Sequence, residues 1–319
     1  MDDSLSAEAD AFDRRINERQ SAGFIPDLER LTENEYFYKS FWRDPVYADL
    51  YVGTLSRNYI RYFKEYSGQG ACILDVGCGP GYFSLELARE GFNVIGIDIS
   101  PGAVDAANGA LAEARLGDDF GSLSFFCGTL QEFLLDDSRT FDGILSSGFL
   151  HHIPDLGSEL RHIASALKSG GVLVMHEPQH LQFTEKDAFW VATMRLILSK
   201  LDAWYEDYAG VKTSKDFHEL VVATHQEFTL ERDISEPLGQ SPNDLSADRD
   251  AILQALESHF SLLEVSPSRS FIYRTLGGLR GPGEMRHDLA NLLSLIDLEG
   301  VERGHLNANY FYAVAQRTD

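Results

Sequence analysis

The sequence predicts an α/β protein with a mostly parallel, seven-stranded sheet covered by helices on both faces. Two observations carry that reading. Five short apolar runs alternate with amphipathic stretches between residues 71 and 178, and two more strand-like runs follow toward the C-terminus. Residues 1–70 come first and read as a helical cap, with aromatics gathered at Tyr36, Phe37, Tyr38, Phe41 and Trp42, then at Tyr47, Tyr51, Tyr59, Tyr62 and Phe63. The runs at 71–76, 93–99, 123–127, 141–146 and 172–176 are β-branched or aromatic and bounded by Gly, Pro, Asp or Ser, as suits strands buried on both faces. Five βα units in succession imply parallel pairing, since each crossover returns the chain to the same end of the sheet.

The intervening helices carry boundary signals. Ser100-Pro101 offers a hydroxyl N-cap followed by Pro at the first helical position. A helix near 155–167 meets a glycine stop at Gly170-Gly171. After Pro178, Trp190, Met194, Ile197, Leu201, Trp204 and Tyr208 recur at steps of three or four and predict one long amphipathic helix with its stripe in a core. Thr213 and Asp216 form a capping box for a second helix at 214–224. Residues 236–244 read as a loop, and strands at 261–265 and 310–316 complete the sheet. The expected division is a helical cap at 1–70, a sheet core at 71–178 and 250–319, and a helical insertion at 179–249. That insertion is expected to form a lid with the N-terminal helices over the mouth of a substrate site, enclosing a partly apolar substrate; residues 272–306 carry no assignable signal.

Composition narrows the partners. Of 319 residues, 27 are basic and 50 acidic, for a formal charge of −23. No basic footprint exists for nucleic acid or an anionic membrane surface, and no run reaches the roughly 18 apolar residues of a membrane span. Cys72, Cys78 and Cys127 lack CxxC spacing, which excludes a disulfide framework and a cysteine zinc site. The acidic N-terminus does not read as a secretory signal, so a cytoplasmic protein is expected. Monomer and homodimer both stay open.

The most informative segment is Ile73-Leu74-Asp75-Val76-Gly77-Cys78-Gly79-Pro80-Gly81, an apolar strand running into a glycine turn before a helical pattern. Glycines there let a ligand approach the backbone where any Cβ would obstruct it. The next strand ends in Asp98, a carboxylate placed to accept hydrogen bonds from both hydroxyls of a ribose. The ligand is thus a nucleoside-containing cofactor beyond the carboxyl ends of the strands. A dinucleotide fingerprint needs a third glycine where this chain has Tyr82, and no GK[ST] follows for a P-loop.

With ILDVGCGPG, Asp98, FFCGTLQEF, FDGILSSGFLHHIPD and LKSGGVLVMHEP, residues 71–178 resemble the class I S-adenosylmethionine-dependent methyltransferases, of the small-molecule, quinone- and sugar-methylating type. The resemblance implies a Rossmann-like methyltransferase fold. It places Gly77, Gly79 and Gly81 against the methionine and ribose of the cofactor, and Asp75 orienting the loop or reaching the amino group. Asp98 would hold the ribose, Ile99 and Leu130 would sandwich the adenine, and Gly128 and Thr129 would lie at its edge, Thr129 standing where many relatives carry Asp. Ser146 and Ser147 would lie near the sulfonium.

Methyl transfer is an in-line displacement that needs alignment, exclusion of water and removal of the acceptor's proton. His suits the base. His151 and His152 follow the fourth strand, and His176, Glu177 and His180 the fifth; His152, His180 and His151 are the candidate bases, and purely positional catalysis is the alternative. His176-Glu177-Pro178-Gln179-His180 spells a zinc-protease motif, but Pro178 cannot sit inside the helix that motif requires, so no metal site is read. The expected activity is methylation of a small-molecule acceptor at oxygen, on a sugar-containing, natural-product or phenolic hydroxyl. Alternatives are N-methylation of an amine and a non-catalytic protein that binds the cofactor.

Overall fold

The computed structural model describes residues 3–136, 139–230, 241–243 and 246–318; most of the loop expected at 236–244 lies outside them. Helices α1 (Asp3–Ser21), α2 (Pro45–Ala48) and α3 (Thr54–Tyr66) precede the sheet. Then β1 (Cys72–Val76), α4 (Tyr82–Arg89), β2 (Asn93–Asp98), α5 (Pro101–Glu113), β3 (Ser122–Cys127), α6 (Leu130–Asp136), β4 (Phe141–Ser147), α7 (Leu156–Ala166) and β5 (Leu167–Pro178) alternate. Helices α8 (Glu185–Lys200), α9 (Ser214–Thr229) and α10 (Arg249–Leu256) lead to β6 (Phe260–Pro267), α11 (Tyr273–Leu276), α12 (Gly283–Glu302) and β7 (Tyr310–Arg317).

The seven strands form one sheet ordered β3-β2-β1-β4-β5-β7-β6. Strands β1 to β5 pair in parallel, while β7 runs antiparallel to β5 and β6, so one edge is mixed. Alternate strand residues feed two apolar layers, which is why the runs read as continuously apolar. Ile73, Val94, Val172 and Val174 pack with Tyr59, Tyr62, Phe63 and Phe83 on one face. Leu74, Val76, Ile97, Leu173 and Met175 pack with Leu160, Ile163 and Ile252 on the other. The order reverses at β1, whose neighbours are β2 and β4, and this switch point opens a crevice at their carboxyl ends.

Local signals set the helix starts. The Ser100 hydroxyl accepts from the Ala103 N–H with Pro101 in the first turn, and Thr213 with Asp216 forms a capping box. Helix α9 runs five residues past its expected end at residue 224. Helix α7 ends at Ala166 instead of at the glycines; Gly170, at φ 74, turns the chain within the first residues of β5.

The region after β5 differs most from expectation. Helix α8 stops at Lys200, and Asp202 adopts φ 55, so Trp204 and Tyr208 lie beyond it. The stripe expected in a core divides: Trp190, Ile197 and Leu201 are half or more exposed, while Trp204 is buried and Met194 and Tyr208 pack partly buried against the same cluster. Ala188, Val191, Ala192, Arg195 and Leu198 turn inward instead. Small residues allow close approach to α9, and Arg195 is acceptable there because Glu227 of α9 meets it bidentately at 2.6 and 3.1 Å. These helices share an apolar cluster with α11 and α12, through Phe228, Ile272, Leu276 and Leu293. Helix α12 occupies most of the stretch 272–306, which carries no readable signal in the sequence. No helix among the described residues is long and apolar enough to cross a membrane.

Candidate active site

A cleft of about 1050 Å³ opens at the switch point. Its floor is the turn after β1. The Asp98 carboxylate accepts the N–H groups of Gly79 at 2.8 Å and Ser100 at 2.9 Å, which pulls the turn down onto β2. Gly77 and Gly79 sit at φ 68 and 53, conformations that burden any residue with a Cβ. A Cβ on Gly79 would meet nothing within 4 Å, so its backbone lies bare to the cleft; one on Gly77 would strike the Phe149 ring at 2.5 Å. Gly81 differs. It caps α4 at φ 79, a Cβ there would fall 2.7 Å from the Phe125 ring, and it does not line the cleft. Its absent side chain serves the packing of α4 on β3 rather than a ligand.

Asp75 lies buried beneath the turn, accepts the Ser84 hydroxyl at 2.6 Å and reaches the cleft. Burial, aided by the nearby Asp98 charge, pushes its carboxyl up to about 7 despite that hydrogen bond. Burial also raises Asp98, against the two N–H groups that favour its charge. Ile99, Gly128, Thr129 and Leu130 line the next stretch of wall. The Thr129 N–H and hydroxyl both donate to Glu132 at 2.9 Å, and its oxygen accepts the Glu132 N–H, so this hydroxyl belongs to the cap of α6.

The two serines that end β4 point opposite ways, as strand neighbours must. Ser147 lines the cleft with its hydroxyl 2.7 Å from that of Tyr59. Ser146 is buried away from it and donates to Glu177 at 3.1 Å. Glu177 is the hub of this region. It also accepts the N–H groups of Phe149 and Leu150 at 3.0 Å and lies 2.8 Å from His151 Nδ1. Burial opposes its charge, yet His151 and these N–H groups hold its carboxyl below the usual range.

The candidate bases therefore part company. His151 lines the cleft with Nδ1 committed to Glu177. His152 also lines it, but its Nδ1 lies 3.2 Å from Glu8 of α1, and Phe12 packs edge-on against the ring. Burial works against the Glu8 charge, but hydrogen bonds from His152, Ser241 and Asn243 hold its carboxyl low. His180 is buried against Asn309 at 2.9 Å, edge-on to Tyr310, and is not among the lining residues. His176 reaches the cleft stacked on Tyr310, hydrogen-bonded to Ser268 at 3.0 Å, and burial lowers its imidazole to about 3. His176 belongs to a strand and His180 to a short turn, so they share no helix face. No cluster of three or more His, Cys, Asp or Glu among the described residues is arranged to hold a metal.

The N-terminal segment expected to share the lid does line the cleft, through individual residues that the sequence did not single out as walls. Helix α1 lies across the cleft with Glu8, Phe12, Arg15 and Arg19, and the far end is aromatic: Tyr36, Phe41, Trp42, Tyr51, Tyr273 and Tyr310. Asp297 of α12 accepts the N–H groups of Ser270, Phe271 and Ile272, fixing the turn that delivers Tyr273. Glu159 of α7 also faces the cleft, its carboxyl raised to about 7 by burial. None of these has a local sequence signature, because each acts across a long separation. Of the expected insertion, only Glu227 and Asn243 among the described residues line the cleft, so of the two expected parts of the lid the N-terminal segment, through α1 and residues 36–42, supplies the cover and α8 does not. The cradle suits a nucleoside carrying an amino acid, with bare backbone at Gly79, a carboxylate at Asp98 and apolar jaws at Ile99 and Leu130. Its volume exceeds the roughly 300–1,000 Å³ usual for one small ligand, which leaves room for a second.

A family model described as a methyltransferase domain matches residues 49–226. Over 107 residues the chain is 33% identical to a ubiquinone biosynthesis O-methyltransferase of Azorhizobium caulinodans, covering 34% of this chain and 40% of that protein. Its namesake from Coxiella burnetii is 33% identical over 105 residues, covering 33% and 42%. The match thus spans about two fifths of the length of these relatives. Among solved structures, magnesium protoporphyrin IX methyltransferase from Synechocystis aligns with a TM-score of 0.51 at 14% identity, over 99% of this chain and 98% of that one. A 4+2 cyclase aligns at 0.50 with 15% identity, over 98% and 95%. At such identities the likeness is one of fold, which hosts more than one chemistry.

Proposed function

Because this chain belongs to the class I S-adenosylmethionine-dependent methyltransferases, we propose that it methylates a hydroxyl oxygen on a small, planar, largely apolar acceptor, a phenol in preference to a sugar. One observation carries the reading: the aromatic end of the cleft meets the cofactor cradle at Ser147 and at a histidine oriented by a buried carboxylate. A sugar would need a denser set of polar side chains than that end offers. The names of the curated relatives, which specify O-methyl transfer in ubiquinone biosynthesis, support the same chemistry.

S-adenosylmethionine, when bound, supplies a methyl group on a sulfonium that departs as a neutral thioether. The chain's own groups do the rest. Asp98 keeps a second lone pair on each oxygen for the ribose hydroxyls. Ile99 and Leu130 flank the base, and Asp75 faces the amino group. The ionised Glu177 accepts the Nδ1 proton of His151, which fixes the tautomer and assigns Nε2 to the acceptor's proton. Ser147, backed by the Tyr59 hydroxyl, orients the acceptor oxygen, and the aromatic wall excludes water. His176, neutral at working pH because burial disfavours its charge, serves Ser268 and Tyr310 instead of taking the proton.

Mass spectrometry of a panel of phenols, sugars and amines incubated with isotopically labelled cofactor tests this. Labelled phenol ethers are expected, and His151→Ala should lose about 10²–10⁴ in rate with S-adenosylhomocysteine affinity retained. Label confined to amines, or an unaffected His151→Ala, would refute the assignment.

A further inference from the structure

The aromatic end of the cleft is a continuous ribbon of rings, and it runs to a cation that the proposed reaction does not use. Ser147, set at the acceptor oxygen in that reaction, is paired across the sheet with His176. The His176 ring stacks on Tyr310 with centroids 5.1 Å apart, and Tyr310 meets Tyr273 edge-on at 5.1 Å. Tyr51 stacks on Tyr273 at 5.4 Å. The guanidinium carbon of Arg274 lies 5.1 Å from the Tyr273 centroid, and its Nε donates to the Tyr273 hydroxyl at 2.6 Å. All of these side chains line the cleft. Three successive steps of 5.1 Å bring the guanidinium within about 15 Å of the His176 ring.

A buried ion pair holds this cation in place. Arg195, 4% exposed, donates to Glu227 from both terminal nitrogens, and its Nη2 also donates to the Arg274 carbonyl at 3.2 Å. The pair thereby fixes the backbone that carries Arg274. Glu227 lines the cleft too, so the sign of this end has to be weighed. Both of its oxygens are engaged by Arg195, and among the described residues Arg195, Arg274 and Lys39 all favour its ionised form. Three cations act on one carboxylate, within a chain whose formal charge is −23.

We propose that Arg274 binds a carboxylate on the acceptor, so that the substrate is an aromatic hydroxy acid lying along the Tyr310–Tyr273 ribbon. Its hydroxyl meets Ser147 and its acid group meets the guanidinium. This rests on the phenol reading given above and adds to it a second functional group at a bounded distance. A carboxylate matches the planar fork of the guanidinium, and a pair enclosed among rings is screened less than one in open water.

Steady-state kinetics on the full chain tests this with three acceptors of increasing length: a hydroxycinnamate, a hydroxynaphthoate and a hydroxybiphenyl carboxylate, each beside its primary amide. The wild type should favour an acid over its amide in kcat/KM by about 10- to 100-fold, the range of a charge-assisted hydrogen bond. Arg274→Met should bring that ratio toward one by raising the KM of the acids, and Arg274→Lys should keep part of it. S-adenosylhomocysteine affinity, measured on each variant, should be retained and shows that the fold is intact. Methylation of acids and amides at equal efficiency by the wild type overturns the assignment while leaving the phenol reading in place. Equal losses on both in Arg274→Met overturn it too, since the guanidinium would then serve only to hold Tyr273. A wild type that methylates neither acids nor amides overturns the phenol reading, and this inference with it.

Discussion

Replacing Asp75 with Asn should stabilise the ligand-free protein while weakening its hold on the cofactor. The carboxyl is fully enclosed, has the Ser84 hydroxyl as its hydrogen-bond donor, and ionises near 7 in the fold against 3.8 ordinarily. Below pH 4 both folded and unfolded chains hold the proton, and Asp carries no penalty relative to Asn. As pH rises toward 7 the unfolded chain releases a proton that the folded chain keeps, so stability falls. Above 7 the penalty levels off at about 4 kcal/mol as an upper bound. Asn keeps an acceptor for Ser84 but brings an amide that needs partners, which offsets about 1–2 kcal/mol. The net gain at pH 8 is then about 2–3 kcal/mol, or about 3–5 °C in Tm for a chain of this length. Thermal denaturation without ligand at pH 8 and pH 4.5 measures it, the gain being largely lost at the lower pH. Calorimetry at pH 8 should show S-adenosylhomocysteine weakened about tenfold or more. A Tm that falls at pH 8, or a gain indifferent to pH, would refute the claim that the buried charge is the destabilising element.

The glycines of the turn should separate by role. Gly81→Ala drives a methyl toward Phe125 and Ala107, and should destabilise by about 2–4 kcal/mol in a denaturant titration. Gly79→Ala, with open space around its Cβ, should lose about 1–2 kcal/mol from its φ of 53 alone, with a larger effect on cofactor affinity than on stability. Glu177→Gln removes the charge that Ser146, two backbone N–H groups and His151 converge upon. It should destabilise by about 3–5 kcal/mol and lower kcat by freeing the His151 tautomer. Because the Glu177 carboxyl is held below its ordinary 4.5, its contribution is complete above that value and is lost as pH falls through the lowered one. Acid denaturation of the variant should accordingly be shallower than that of the wild type.

The sheet and the glycine turn were legible because their constraints are local. Alternating burial shows in the apolar runs, and a bare turn followed by a strand ending in Asp98 is written in consecutive residues. Ser146 and Ser147 show where that stops: a strand sends neighbours to opposite faces, and only β5, through Glu177, decides which one meets the cleft. Helices α8 and α12 misled for another reason. Both carry large apolar residues outward, Trp190 and Ile197 on one, Leu292 and Leu295 on the other, so the contrast between their faces is blurred. The contacts that pin the N-terminal cover were the least legible part. Glu8 meets His152, and Asp13 meets Ser100, across most of a hundred residues or more, and nothing near either acid announces its partner.

The most direct measurement is calorimetry of the wild-type chain with S-adenosylhomocysteine and, separately, with NADH. A saturable, one-site isotherm for the thioether nucleoside and none for the dinucleotide is the outcome this cleft requires. Binding of NADH without the other ligand would mean that the turn after β1, with Tyr82 in place of a third glycine, has been assigned to the wrong chemistry.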